Sequence, residues 1–485
     1  LRFARRTEET KSCRQLLAGF FSREANSHTG HQDEGEKDKM DTVITNGRVI
    51  DPASGFDGSA NIGIERGKIA RITRDNLVGA RVIDAAGKAV APGFIDIHMH
   101  EGENENTILD CMARMGVTTA IGGNCGYSAY PTGAYYTDLE AAGLPINYTG
   151  FVGYITLREA VGLTDRYAPA GADQRAAVAE LIRAALAAGA IGLSFGHEYA
   201  PGVTGEEALA AAAVVAEYPG RLLSAHFRFD ADRAVESVKE LAELSLRSGV
   251  PMQLSHIGSC AGFPQIMADS LTALEAAQAA GVDIMADCYP YNAFSTAIGS
   301  AVFDEGCFER WGKTFSCIMV AEGEHVGQYC DAALFARLRA EAPATRVIGF
   351  VMHEAEIVRA LQHPLVLVGS DGAFHNRQGH PRGAGAFPRV LGRLVREQPA
   401  LTLTEALAKM TVLPAERLGL RQKGRIAVGA DADLTLFDPE IIIDKADFDC
   451  PTAAPAGVGP VLVGGEVVAE AGELTGSKPG KVIRY

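Results

Sequence analysis

Six residues of metal-binding type stand at the ends of short apolar runs in this chain. They are His98 and His100 in GFIDIHMH, Cys125 in VTTAIGGNCG, His226 in RLLSAHFRFD, His256 in PMQLSHIGS and Asp371 in PLVLVGSDG. On a strand, residues two apart point to one side, so His98 and His100 can reach a common point. Imidazole, thiolate and carboxylate together suit zinc. Zinc brings the pKa of its water down to about 7, which makes a hydroxide available at neutral pH. Each residue alone has an ordinary explanation. A cysteine packs well as a small apolar residue, a single histidine is more often a satisfied polar group, and Asp371 could cap the next turn. Packing has no reason to put six such residues at equivalent places.

Those places are strand ends. The middle of the chain, 91–424, alternates apolar strands with helical patterns. The remaining strands are INYTGFVGY, AIGLSFGHEY and VDIMADCYP, which brings the count to eight, and helices are expected at 172–188, 234–248 and 270–280. Eight strands alternating with helices predict an α/β chain with a TIM (β/α)8 barrel, whose chemistry gathers at the C-terminal strand ends. The six candidates then fall on five of the eight strands. About 70 residues, 291–362, separate the last two strands, which predicts an inserted subdomain. Alternating strands and glycine turns at 40–90 and again at 425–485 predict one small β-sandwich built from both ends. Residues 1–39 are polar and aperiodic, and Met40 precedes a clean strand pattern. They are expected to be a disordered or non-native N-terminal extension.

The totals exclude some partners. A formal net charge of −15 over 485 residues argues against nucleic acid and anionic membranes. No run of about 18 apolar residues suggests a transmembrane helix. Nine cysteines lie without paired spacing, which favours a reducing, cytoplasmic setting.

The segments APGFIDIHMH, GVTTAIGGNCG, GLSFGHEYAPG, DCYPYNAFST, SDGAFHN and HPRGAGAFPRVLG, in this order, resemble the amidohydrolase superfamily. Within it they look like the N-acyl-D-amino-acid deacylase (D-aminoacylase) family. The resemblance runs from about Met40 to the C-terminus. It implies zinc-dependent hydrolysis of a linear amide to a carboxylic acid and a free D-amino acid. Many amidohydrolases bridge two metals with a modified lysine on strand four; AIGLSFGHEY has none. By resemblance Cys125 replaces it, giving a tight zinc site of Cys125, His226 and His256. His98, His100 and Asp371 would line a second, weaker one. Asp371 would be the general base and acid. Arg382 would grip the substrate carboxylate in a bidentate fork, with Tyr199, Tyr289 and Ser295 as further substrate contacts. His197, His353 and His375 are left as structural. Oligomers are compatible with all of this.

Two departures bear on the substrate. The family's lysine after the strand-six histidine is missing, with Gly258 and Ser259 in its place. The loop after His100 also carries Glu101, Glu103 and Glu105, which would repel acidic substrates. Neutral or hydrophobic D-amino acids are therefore expected over D-glutamate and D-aspartate. Two alternatives remain: a cyclic amidase of the hydantoinase or dihydropyrimidinase kind, and a non-enzymatic homologue that has lost activity.

Overall fold

The computed structural model describes residues 39–101 and 107–485. Apart from Lys39, the extension expected at 1–39 lies outside the described residues, as do Glu103 and Glu105.

The parallel strands are short and almost wholly buried. β1 (Phe94–Asp96) pairs with β2 (Val117–Gly122), and β2 with β3 (Asn147–Gly150). Phe151 interrupts the third strand, and Val152–Gly153 carries the pairing on to β4 (Gly192–Gly196). β4 pairs with β5 (Leu222–His226), then β6 (Met252–Leu254), β7 (Ile284–Cys288) and β8 (Val366–Val368), all parallel. Beyond β8, the Asp371 N–H donates to the His98 carbonyl at 2.7 Å, and the His100 N–H to the Gly372 carbonyl at 2.9 Å. The first and last strands are thus tied together where they carry site residues. Asp96 reinforces the tie, its Oδ1 accepting from the Ser370 and His98 N–H groups at 2.9 and 3.2 Å.

Helices cover the strands. Ala172–Ala187 and Ala234–Ser248 match the expected spans to within a residue. The third, Ile266–Ala279, begins four residues before its expected start. Its first turn places Met267 in the core straight after the Phe263–Pro264–Gln265 bend, an apolar anchor that the polar-looking ADS segment hides.

The two ends of the described chain share a nine-stranded sheet. Ala89–Pro92 runs antiparallel to Leu434–Phe437, and Met40–Asp51 antiparallel to Phe56–Glu65. This sheet has its own apolar cluster, including Ile44, Ile62, Leu434 and Leu462. Between β7 and β8 lies a further antiparallel sheet of Phe294–Ala297, Ile318–Val320 and Arg346–Gly349. Phe294, Phe303, Trp311 and Phe335 pack edge-on or tilted beside it, at 5.6–6.0 Å between centroids.

Candidate metal centre and its cavity

The turn after β2 explains how a cysteine reaches the centre. Gly123 has φ +69°, and a Cβ there would lie 2.0 Å from the Phe151 carbonyl oxygen. Only glycine takes this bend without a clash. Ser194 Oγ then donates to the Gly123 carbonyl at 2.5 Å and accepts the Gly126 N–H at 3.0 Å. Between those two bonds sits Cys125, buried and itself left-handed at φ +55°. His256 and Asp371 are also left-handed, at φ +34° and +50°. Non-glycine residues rarely adopt this conformation, and it concentrates at functional sites. Gly123→Ala is expected to cost about 3 kcal/mol, from the clash and the displaced turn. A thermal melt checks it, and an unchanged midpoint would contradict it.

All six candidates converge. Cys125 Sγ lies 3.2 Å from His256 Nε2 and 3.4 Å from His98 Nε2. His226 Nδ1 is 3.0 Å from His256 Nε2. Asp371 Oδ1 is 3.0 Å from His100 Nε2 and 3.4 Å from His98 Nε2. Ligand atoms of Cys125, His226 and His256 all lie within 4.8 Å of one another, as do those of His98, His100 and Cys125, and of His98, His256 and Asp371.

The far nitrogens of three of these imidazoles are held from behind. Asp287 Oδ1 accepts from His98 Nδ1 at 3.0 Å and from the His256 backbone N–H at 2.8 Å. Glu198 Oε2 accepts from His226 Nε2 at 2.9 Å. Ser259 Oγ contacts His256 Nδ1 at 2.8 Å. Such partners fix ring orientation and leave the opposite lone pair pointing inward. The inward set is one sulfur, imidazole nitrogens and a carboxylate, a donor set that fits zinc. Sequence reasoning did not single out Asp287 or Glu198. The available signal was weak: each is an acid at the end of β7 or just beyond β4.

The electrostatics agree. Burial opposes ionisation of the Cys125 thiol, yet His256 and then His98 hold it well below its usual range. Burial likewise opposes ionisation of Asp371, yet Arg382, His256 and His98 keep it well below the usual carboxylate range. Burial would lower His226 and His100, but Cys125 and Glu198 push the first up to about 9, and Asp371 and Cys125 the second to about 8.

A cavity of about 600 Å³ opens beside this cluster, within the range of small-molecule sites. His100, Cys125, Asp371, Tyr199, Ser295 and Arg382 line it. Arg382 is buried, with Nη1 2.8 Å from Asp371 Oδ2 but off the hydrogen-bond direction. Tyr289 is buried beneath Arg382, whose guanidinium sits 4.5 Å over its ring. His197 stacks on Phe195 and its backbone N–H donates to the His226 carbonyl at 3.4 Å, while His353 packs beside Phe263 and His375 contacts Glu322. Glu101 is on the cavity wall, its carboxylate held by the Tyr148 hydroxyl.

A family model described as "Amidohydrolase family" matches residues 81–469. The chain belongs to the amidohydrolase family. Its fold is accordingly α/β of the TIM-barrel type. The chain is 37% identical to the N-acyl-D-glutamate deacylase of Alcaligenes xylosoxydans xylosoxydans, over 92% of this chain and 97% of that one. The D-aminoacylase of the same organism is 31% identical over 93% and 99%. Among solved structures, the N-acyl-D-glutamate deacylase of Bordetella bronchiseptica superposes with a TM-score of 0.82 at 34% identity, over 92% of this amidohydrolase and all of that chain. It was solved with zinc and a phosphonate mimic of the tetrahedral intermediate. An L-hydantoinase from Arthrobacter aurescens superposes less well, at 0.60 and 19% identity, and shares the fold alone.

Proposed function

We propose that this amidohydrolase is a zinc-dependent N-acyl-D-amino-acid deacylase. The observation that carries this is the buried Cys125 sulfur among histidines, three of which have their far nitrogens already hydrogen-bonded, next to Asp371 on a ligand-sized cavity. Cys125, His226 and His256 would hold a tight zinc; His98, His100 and Asp371 would offer a second, weaker site. A bound zinc supplies Lewis acidity and lowers the pKa of water.

The chain's own groups do the rest. Arg382 takes the α-carboxylate of the substrate in its guanidinium fork. As Arg382 turns to that carboxylate, Asp371 loses the neighbour that most depresses its pKa and becomes a better base. Asp371 accepts the proton from the attacking water at a carboxylate oxygen and delivers it to the amide nitrogen. The C–N bond breaks, and the carboxylic acid and free amino acid leave. Tyr199 and Ser295 bound the substrate, and Tyr289 braces Arg382 from below. The side chains reach one point because the eight strands form a closed barrel. The sheet shared by the two ends and the insertion between β7 and β8 surround that barrel. The free described cysteines fit a reducing compartment. Among the described residues no helix is long and apolar enough to cross a membrane.

Zinc must displace protons from His226 and His100, whose pKa values are pushed up to about 9 and 8. In the metal-free chain this raised basicity stabilises the fold below about pH 6.5, and the contribution is lost as pH climbs through 8 to 9. Zinc affinity therefore rises from pH 6 toward 9 and then levels. Competition with a chromophoric chelator measures it; a flat profile would contradict the ligand assignment.

The function itself is tested by incubating zinc-loaded protein with paired N-acetyl-D- and N-acetyl-L-amino acids and with hydantoins. Amine release from D substrates only is expected. Ring opening without amine release would favour the cyclic-amide alternative instead.

A further inference from the structure

The insertion supplies one wall of the cavity, and that wall carries a cation, Arg346, with no ion pair among the described residues. In its sheet, Ser295 stands opposite Ile348 and Ala297 opposite Arg346. Opposed residues share a face, as do residues two apart along a strand. Ser295, Ala297 and Arg346 therefore face the same way, and all three line the cavity. Arg346 is half-buried. The acid beside it, Glu322, is already committed. One of its oxygens accepts the backbone N–H of Arg346 at 2.9 Å, and the other contacts His375 Nδ1 at 3.0 Å.

Several other buried or half-buried arginines are matched. Arg382 lies against Asp371 at 2.8 Å, Arg389 against Asp444 at 2.8 Å, and Arg158 against Glu207 at 3.0 Å. Among the described residues, the Arg346 guanidinium makes no ion pair. A partly buried cation without a counter-charge is costly, and an incoming carboxylate offsets that cost.

We propose that Arg346 determines specificity by binding a second substrate carboxylate, distinct from the one held by Arg382. The preferred substrates are then N-acyl-D-amino acids that carry two carboxylates. This rests on the amide-hydrolysis reading above and reverses the expectation of neutral side chains. Position 258 carries no cation, and its neighbours close on the glycine. A Cβ there would lie 2.7 Å from Cys288 Sγ and 2.8 Å from Ile357 Cδ1. The cavity draws its second cation from the insertion instead. Glu101, an acid on the cavity wall, accepts a hydrogen bond from the Tyr148 hydroxyl.

The second carboxylate can come from the amino-acid side chain or from the acyl group, and the substrates separate the two. Wild type, Arg346→Gln and Arg346→Lys are assayed with N-acetyl-D-glutamate, N-acetyl-D-glutamine, N-acetyl-D-leucine and N-succinyl-D-leucine. In Arg346→Gln the KM for N-acetyl-D-glutamate relative to N-acetyl-D-glutamine is expected to rise about tenfold, in KM rather than kcat, with partial recovery in Arg346→Lys. The same shift for N-succinyl-D-leucine over N-acetyl-D-leucine would place the second carboxylate on the acyl group and still support the proposal. Equal changes for all four substrates, or none, would overturn it. Should wild type hydrolyse nothing, the deacylase reading fails, and calorimetry decides the Arg346 proposal alone. D-glutamate or N-succinyl-D-leucine should then bind more weakly to Arg346→Gln than to wild type while D-glutamine does not; indifference to the variant would overturn it.

Discussion

Asp371→Asn lowers kcat by about 10³-fold while leaving one tightly bound zinc in place. The side chain keeps its shape, so the contacts to His100 and Arg382 remain possible. What disappears is a group able to take a proton from water and return it to the amide nitrogen. The tight trio proposed above, Cys125, His226 and His256, does not include Asp371, so zinc content is expected to hold at one equivalent. Parallel kcat and metal analysis checks this. Loss of the metal together with activity would mean that Asp371 holds the ion rather than moves the proton. Undiminished activity would remove it from the mechanism.

The second large effect is expected at Cys125. Losing a hydrogen-bonded partner behind a metal ligand typically weakens binding about 10–100-fold, and losing the ligand itself should exceed that. Cys125→Ala is therefore expected to purify with less than one zinc and to show no measurable turnover. Its thermal midpoint should stop responding to added zinc, because the stabilisation that binding gives the folded state is gone. Wild type stripped with a chelator should match the variant and recover when zinc is returned, whereas the variant should not. If Cys125→Ala kept full zinc and full activity, the cysteine would be a packing residue after all.

The candidate ligands were legible in the sequence for a specific reason. A buried parallel strand is a short apolar run, and the residue that ends it stands out by type. His98, His100, Cys125, His226, His256 and Asp371 all do, and all six converge. The helices at 172 and 234 were readable from their apolar spacing, while the start at Ile266 was masked by the polar Ala-Asp-Ser that follows Met267. The groups behind the ligands were not readable. Asp287 and Glu198 are common residue types, and only the folded contact distinguishes them from solvent-facing acids. Tyr289 is named as a substrate contact by resemblance alone. Its place beneath Arg382 depends on a helix that begins some 90 residues later. Arg346 lies in the insertion, outside the βα rhythm, and its importance comes from what Glu322 does with its two oxygens.

The central claim is that a thiolate from the β2 turn, not a carboxylate alone, holds the zinc. Zinc-edge X-ray absorption on protein carrying one equivalent tests it most directly. The account predicts one sulfur at about 2.3 Å with nitrogen or oxygen neighbours at about 2.0–2.1 Å, the sulfur vanishing in Cys125→Ala. A shell of nitrogen and oxygen alone in the wild type would contradict it.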